Sequence, residues 1–323
     1  MKKNKISIIA EFCQNHNGNI NVLNKMIEKA AESGATHAKV QNIFANELTF
    51  RPCFEKGIKI KNKIVCIKRP YKNEYERLKK LELNYKQLES FVEKCKKFHL
   101  IPLITCFTRS QINLLSKIGF KTIKIASYDC SSFQFLREAT KKFTNLIVST
   151  GATYDNEIQK AAQILKNKNF AFLHCITIYP TPLEDINLNR IKYLKKFTKN
   201  VGYSDHAVAV YENLIAIKLA ILMGANIIEK HFTILDANET RDGVVSMTPK
   251  HLSEISQFAK LKRLDQRHSL KETSKKLINK IYGRTNRNMT DIELLNRNYY
   301  KGRFGSMAFK NDGRKHIYNW EEI

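Results

Sequence analysis

Two lysines and two histidines carry the chemistry legible in this chain. Lys39 lies in His37–Asn42 and Lys124 in Thr122–Ser127, short apolar or β-branched runs of strand length. Strands of a parallel sheet are covered on both faces and normally exclude charge. A lysine there is costly unless its ammonium meets an anion. The anion can be internal, with Glu11 or Glu229 as partner. It can equally be a bound phosphate or carboxylate, to which Ser127, Ser149 and the backbone around Gly151 would add hydrogen bonds.

The histidines close two further runs, Val201–His206 and Asn226–Phe232. Ser204/His206 and Glu229/His231 are i, i+2 pairs, so each pair points to one face of its strand. A lone histidine at a strand end is an ordinary structural residue. Two at the ends of consecutive strands suit a divalent metal, with substrate oxygens and water filling the remaining positions. Glu229 can orient an imidazole or stay near the metal.

These side chains need elements that bring them together. Besides the four runs named, strand-like stretches occur at Ile6–Phe12, Ile101–Phe107, Leu146–Gly151 and Phe170–Cys175, making eight. Segments with helical spacing follow them: Ile20–Ser33, Asn84–Phe98, Ser110–Ile118, Phe133–Phe143, Asn156–Lys166, Leu188–Thr198, Tyr211–Met223 and Pro249–Leu261. Eight βα units in this length predict an α/β fold, the (β/α)8 TIM barrel. The open doubly wound sheet is the alternative, but no GxGxxG follows the first strand. Residues 1–261 are assigned to the barrel and 262–323 to a short basic C-terminal extension that includes Arg284, Arg287, Arg297, Arg303 and Arg314. An insertion, Phe44–Leu83, follows the second strand, where a barrel would carry a lid. Barrel chemistry sits at the C-terminal strand ends. There the chain offers Glu11, Gln41, Thr105, Thr177 and Tyr179 beside the residues already named.

With 56 Lys+Arg against 30 Asp+Glu the formal charge is +26. The lysines are dispersed over helix surfaces, so a nucleic-acid partner is disfavoured. The seven cysteines show no CxxC spacing, which argues for a reducing compartment and against a disulfide framework or zinc ribbon. The start, Met1–Lys5 and an apolar run, is interrupted by Glu11 too early for a signal peptide. Leu214–Ile228 is too short to span a bilayer freely. A cytoplasmic protein with no membrane partner is expected.

The motifs, in this order, resemble the sialic acid synthase family of N-acetylneuraminate, legionaminate and pseudaminate synthases. They are IIAEFCQNHNG at Ile8–Gly18, AKVQ at Ala38–Gln41, IKIAS at Ile123–Ser127 and Ser149–Gly151. Leu173–Cys175 with IYPTP at Ile178–Pro182, GYSDH at Gly202–His206 and EKHFT at Glu229–Thr233 complete the set. The resemblance implies a (β/α)8 barrel that condenses phosphoenolpyruvate with the open-chain aldehyde of an N-acetylated hexose such as N-acetylmannosamine. The products are a nine-carbon 2-keto sugar acid and phosphate. It implies a divalent cation, Mn2+ first with Mg2+ or Co2+ as alternatives, held by His206 and His231. It places Lys39, Lys124, Thr105, Ser127, Ser149 and Ser204 on phosphoenolpyruvate, and Glu11, Gln41, Tyr179 and Asp242 around the sugar. Glu11 is the candidate for proton handling. Thr177 stands where the family often has asparagine, and Glu239–Asp242 keeps only the aspartate of a Pro-Gly-Pro-Asp segment. Residues 262–323 do not match the family's antifreeze-like domain, through which a homodimer partner supplies an arginine to the sugar. An arginine of the extension, Arg303 for example, would have to replace it. A related synthase using another aldehyde, and a non-catalytic basic barrel binding nucleic acid or protein, are the competing readings.

Overall fold

A computed structural model describes residues 6–210, 212, 214–308, 313 and 315–322. Met1–Lys5, Tyr211 and Arg314, which entered the reading above, lie outside the described residues. The eight runs form eight parallel strands: β1 (Ser7–Cys13), β2 (His37–Asn42), β5 (Ile101–Cys106), β6 (Thr122–Ile125), β7 (Asn145–Ser149), β8 (Asn169–His174), β9 (Val201–Asp205) and β10 (Ile227–His231). They close in the order β1-β10-β9-β8-β7-β6-β5-β2, so the barrel expectation holds and the open sheet is excluded.

The helices outside the barrel are α1 (Ile20–Glu32), α4 (Tyr85–Lys97), α5 (Ile112–Ile118), α6 (Phe133–Lys142), α7 (Asp155–Leu165), α8 (Arg190–Leu194), α9 (Leu214–Leu222) and α10 (Pro249–Lys260). Their starts are encoded locally. Asn84 and Gln87 make a reciprocal capping box on α4, and Thr248 caps α10 ahead of Pro249. Helix α9 is apolar nearly all round because α10 and α11 (Arg263–His268) cover what the barrel does not.

The insertion is not a bare loop. It folds as α2 (Cys53–Lys56), the antiparallel hairpin β3 (Ile58–Ile60) with β4 (Lys63–Cys66), and α3 (Tyr71–Lys79). The extension continues with α12 (Lys275–Tyr282), α13 (Asp291–Tyr300) and a second antiparallel pair, β11 (Gly305–Met307) with β12 (His316–Tyr318). Insertion and extension pack on each other. Leu48 bridges Phe304, the Thr49 hydroxyl donates to Gly302 O at 2.6 Å, and Phe54 meets the Tyr299 ring edge-on. Among the described residues no helix is long and apolar enough to cross a membrane.

Candidate active site

The barrel interior is layered, and the layering generates the site. Ile9, Leu103, Ile147, Ala171 and Leu173 form an apolar plug. Side chains alternate along a strand, so the residue two further on faces the same interior one layer nearer the C-terminal mouth. From these plug residues, that step reaches Glu11, Thr105, Ser149 and Cys175. Register adds the rest: Glu11 pairs with Lys39, Thr105 with Lys124, and Glu229 with Ser204.

Both lysines are buried and neutralised internally, the arrangement left open above. Lys39 pairs with Glu11 and, at 3.1 Å, with Glu229, and it donates to the Thr105 hydroxyl at 3.2 Å. Lys124 donates to Glu229 at 2.8 Å, and the Ser204 hydroxyl donates to the same oxygen at 2.9 Å. Burial penalises the Lys39 ammonium, but Glu11 and Glu229 outweigh it and hold its pKa above the usual lysine range. Burial and the Lys39 charge push Lys124 down despite Glu229. Burial raises Glu229, yet the two ammonium groups overcome it and hold the carboxylate well below its ordinary value. We take Glu229 as ionised and Lys39 as charged. Lys124 has one carboxylate partner, so donors remain to be shared with an incoming anion.

The two histidines meet where strand counting placed them. Their ring centroids are 5.5 Å apart, and the Tyr179 ring lies 4.3 Å from that of His206 and 6.3 Å from that of His231. The Nδ1 of His206 bonds Ile176 O at 2.9 Å, an orientation that leaves Nε2 as a free acceptor. Burial and the neighbouring His231 lower the His206 pKa to about 3, so the ring is neutral. The Nδ1 of His231 is buried without a partner. A ring nitrogen of His231, the Cys13 sulfur and an Asp242 oxygen lie within 4.8 Å of one another, a group that does not take in His206. An imidazole, a carboxylate and a cysteine sulfur fit a divalent cation. Sequence reasoning counted Cys13 only as a cysteine. Its signal was its place two residues after Glu11, at a strand exit.

Gln41 donates to the Cys13 sulfur at 3.0 Å. On the β6–β8 side, Ser127 lies just beyond its strand and contacts the Cys175 sulfur at 3.1 Å, and Ser149 is buried. Gly151 is needed for close approach, because a Cβ there would fall 2.7 Å from the Cys175 sulfur. Thr177 is fully buried, and its carbonyl accepts from Asn296 of α13 at 2.7 Å. A cleft of ≈ 790 Å³ runs outward from Gly151 and Cys175. Of its three arginines, Arg190 and Arg287 are paired with Asp155 and Glu293.

The extension therefore roofs much of the mouth in the same chain. Arg297 donates to Ala152 O at 2.5 Å, Tyr300 stacks on Tyr128 at 4.9 Å, and Asn319 donates to Phe107 O at 2.7 Å. Arg303 is not left as an unpaired cation. It is buried, pairs with Glu74 of the insertion, and lies over the Tyr299, Tyr300 and Phe304 rings.

The NeuB family model matches residues 26–267. This chain belongs to the NeuB family. Among relatives of this NeuB-family chain, N,N'-diacetyllegionaminic acid synthase of Campylobacter jejuni is 33% identical over 265 residues, 78% of this chain and 74% of that protein. N-acetylneuraminate-9-phosphate synthase of Mus musculus is 31% identical over 279 residues, 80% and 70% of the two chains. The solved N-acetylneuraminic acid synthetase of Leptospira borgpetersenii superposes with a TM-score of 0.69 at 28% identity, covering 84% of this chain and 87% of that one.

Proposed function

We propose that this protein condenses phosphoenolpyruvate with the aldehyde of an N-acetylated hexose, N-acetylmannosamine or a relative, to give a nine-carbon 2-keto sugar acid and phosphate. The observation that carries this reading is the buried Lys39–Glu229–Lys124 bridge at the base of a mouth lined by hydroxyls. The named synthases among the relatives support it.

Lys39 and Lys124, with Thr105, Ser127, Ser149 and Ser204, hold the phosphate and carboxylate of phosphoenolpyruvate. Their side-chain nitrogens already stand in a buried, preorganised frame, so little reorganisation accompanies anion binding. Gln41, Thr177, Tyr179 and Asp242 border the acceptor sugar. His206 and His231 would hold a divalent cation, which would supply a Lewis acid to polarise the sugar aldehyde. The enol carbon attacks the aldehyde carbon, water attacks the adjacent carbon bearing the phosphate, and that phosphate leaves. The attacking water gives up both protons as its oxygen becomes the ketone: one goes to the new alkoxide and the other leaves with the phosphate, so the site only relays protons. Glu11 is assigned that relay, because its carboxylate is shared with Lys39 at the base of the mouth.

The test is phosphate release from phosphoenolpyruvate with manganese and a panel of N-acetylated hexoses. Release with N-acetylmannosamine or a dideoxy relative is expected. Absence of release with every acceptor overturns the reading.

A further inference from the structure

We infer that Cys13 is a metal ligand of this site, acting as a thiolate beside His231 and Asp242, and that it makes the site prefer a thiophilic cation over magnesium. The proposal rests on the synthase reading only for the cation's task, not for the existence of the site.

The first observation is proximity: sulfur, imidazole nitrogen and carboxylate oxygen lie mutually within 4.8 Å. The second is backbone. Cys13 has φ 45°, the left-handed region that favours glycine, and the pairing of β1 with β2 slips between Glu11 and Cys13. A bulge of this kind re-aims a side chain, and a non-glycine residue kept there costs stability. A side chain needed only for packing gains nothing from that conformation. The third is the unmet donor. His231 is 8% exposed, and its Nδ1 is buried with no hydrogen-bond partner.

The surroundings suit a cation. The sulfur sits beside the Asp242 carboxylate and the His231 ring and accepts from the Gln41 amide at 3.0 Å. With a divalent ion the thiol loses its proton to solvent and the charges balance. Gln41 then donates its amide hydrogen to the sulfur, the partner a thiolate prefers. Thiolate and imidazole donors favour cobalt, zinc or iron, whereas magnesium takes oxygen ligands. The assignment moves Asp242 from the sugar to the cation.

The test uses the full chain, stripped by chelator and reloaded with Co2+ alone. A near-ultraviolet thiolate-to-cobalt charge-transfer band is expected. Cys13→Ser and Cys13→Gly should abolish it and weaken Co2+ affinity at least tenfold, leaving weak Mg2+ binding unchanged. Cys13→Gly relieves the backbone, so its thermal midpoint should equal or exceed that of the parent, which separates ligand loss from misfolding. Cys106→Ser, away from the triangle, should keep the band. A band that survives both Cys13 variants, or cobalt bound with no thiolate band, overturns the inference. The band with no phosphate release on any acceptor would sustain this site and sink the synthase reading. Phosphate release without the band would do the reverse.

Discussion

Glu229 accepts from Lys124 at 2.8 Å while its other oxygen stands 3.1 Å from Lys39, so one buried carboxylate holds two strands' lysines at the base of the mouth. Glu229→Gln leaves Lys124 with no carboxylate partner and Lys39 with Glu11 alone. Stripping one member from a buried ion pair costs roughly 3–5 kcal/mol. Lys124, already biased toward the neutral form by burial, sheds part of that by losing its proton. Urea unfolding should therefore show a loss of about 3 kcal/mol. Adding Lys124→Met should recover most of the stability but none of the phosphate release. A Glu229→Gln protein as stable as its parent would show that the bridge is not what holds this layer.

The two imidazoles give a second prediction. Chelator treatment should abolish phosphate release, and Mn2+ or Co2+ should restore it. Loss of even an outer partner of a metal ligand costs roughly 10–100-fold in affinity or activity. His206→Ala and His231→Ala should each lose at least that much. Metal content of the dialysed variants, measured by atomic absorption, checks the cause independently of turnover. Unchanged metal content in both would remove them as ligands.

Much of this was legible in the sequence for one physical reason. A parallel barrel strand is covered on both faces, so Lys39 and Lys124 inside such runs stood out at once, and the strand count named the fold. The i, i+2 spacing placed Ser204, His206, Glu229 and His231 on the mouth side. Pairing choice was not legible, because lysine next to carboxylate has the same pattern whether it awaits a ligand or is already neutralised. Cys13 was missed because its importance lies in a bulge and a positive φ, which periodicity does not encode. The insertion and extension were opaque too. They fold by packing on each other, through contacts such as Leu48 with Phe304, and neither has a hydrophobic repeat of its own.

Buried histidines predict acid lability. His174 is enclosed and bonds Ile186 O at 2.6 Å, and burial lowers its pKa to about 3. Burial likewise lowers His37 and His16 to about 4. The unfolded chain takes up these protons below the ordinary value of about 6.5, and the folded chain does not. The stability is thus whole above pH 6.5 and is lost as the pH falls toward the folded values. At pH 5 one such histidine accounts for about 2 kcal/mol. Thermal midpoints recorded from pH 7.5 to 5 should fall, and fall less steeply in His174→Gln. Equal slopes would assign the lability elsewhere.

Arg303 predicts how the roof is fastened. Its guanidinium is buried, pairs with Glu74, and lies 4.9–5.8 Å from the centres of three aromatic rings of the extension. Burial raises Glu74, but Arg77 and Arg303 outweigh it and bring its pKa to about 2, so both partners are charged. Arg303→Met keeps the apolar stem and removes the charge, leaving Glu74 with Arg77 at the rim. The barrel has its own core and should keep its unfolding transition. The roof should loosen as a unit, because insertion and extension hold each other. Hydrogen exchange should rise together in residues 44–78 and 291–307, by about 2–4 kcal/mol of lost protection. The KM for the acceptor should rise more than kcat falls, since the layer that loosens borders the mouth and not the lysine bridge. Arg303→Lys should rescue only part, because an ammonium keeps the charge but not the planar face stacked among Tyr299, Tyr300 and Phe304. Faster exchange in the extension alone, with the insertion unchanged, would show that the two segments are not one cooperative roof.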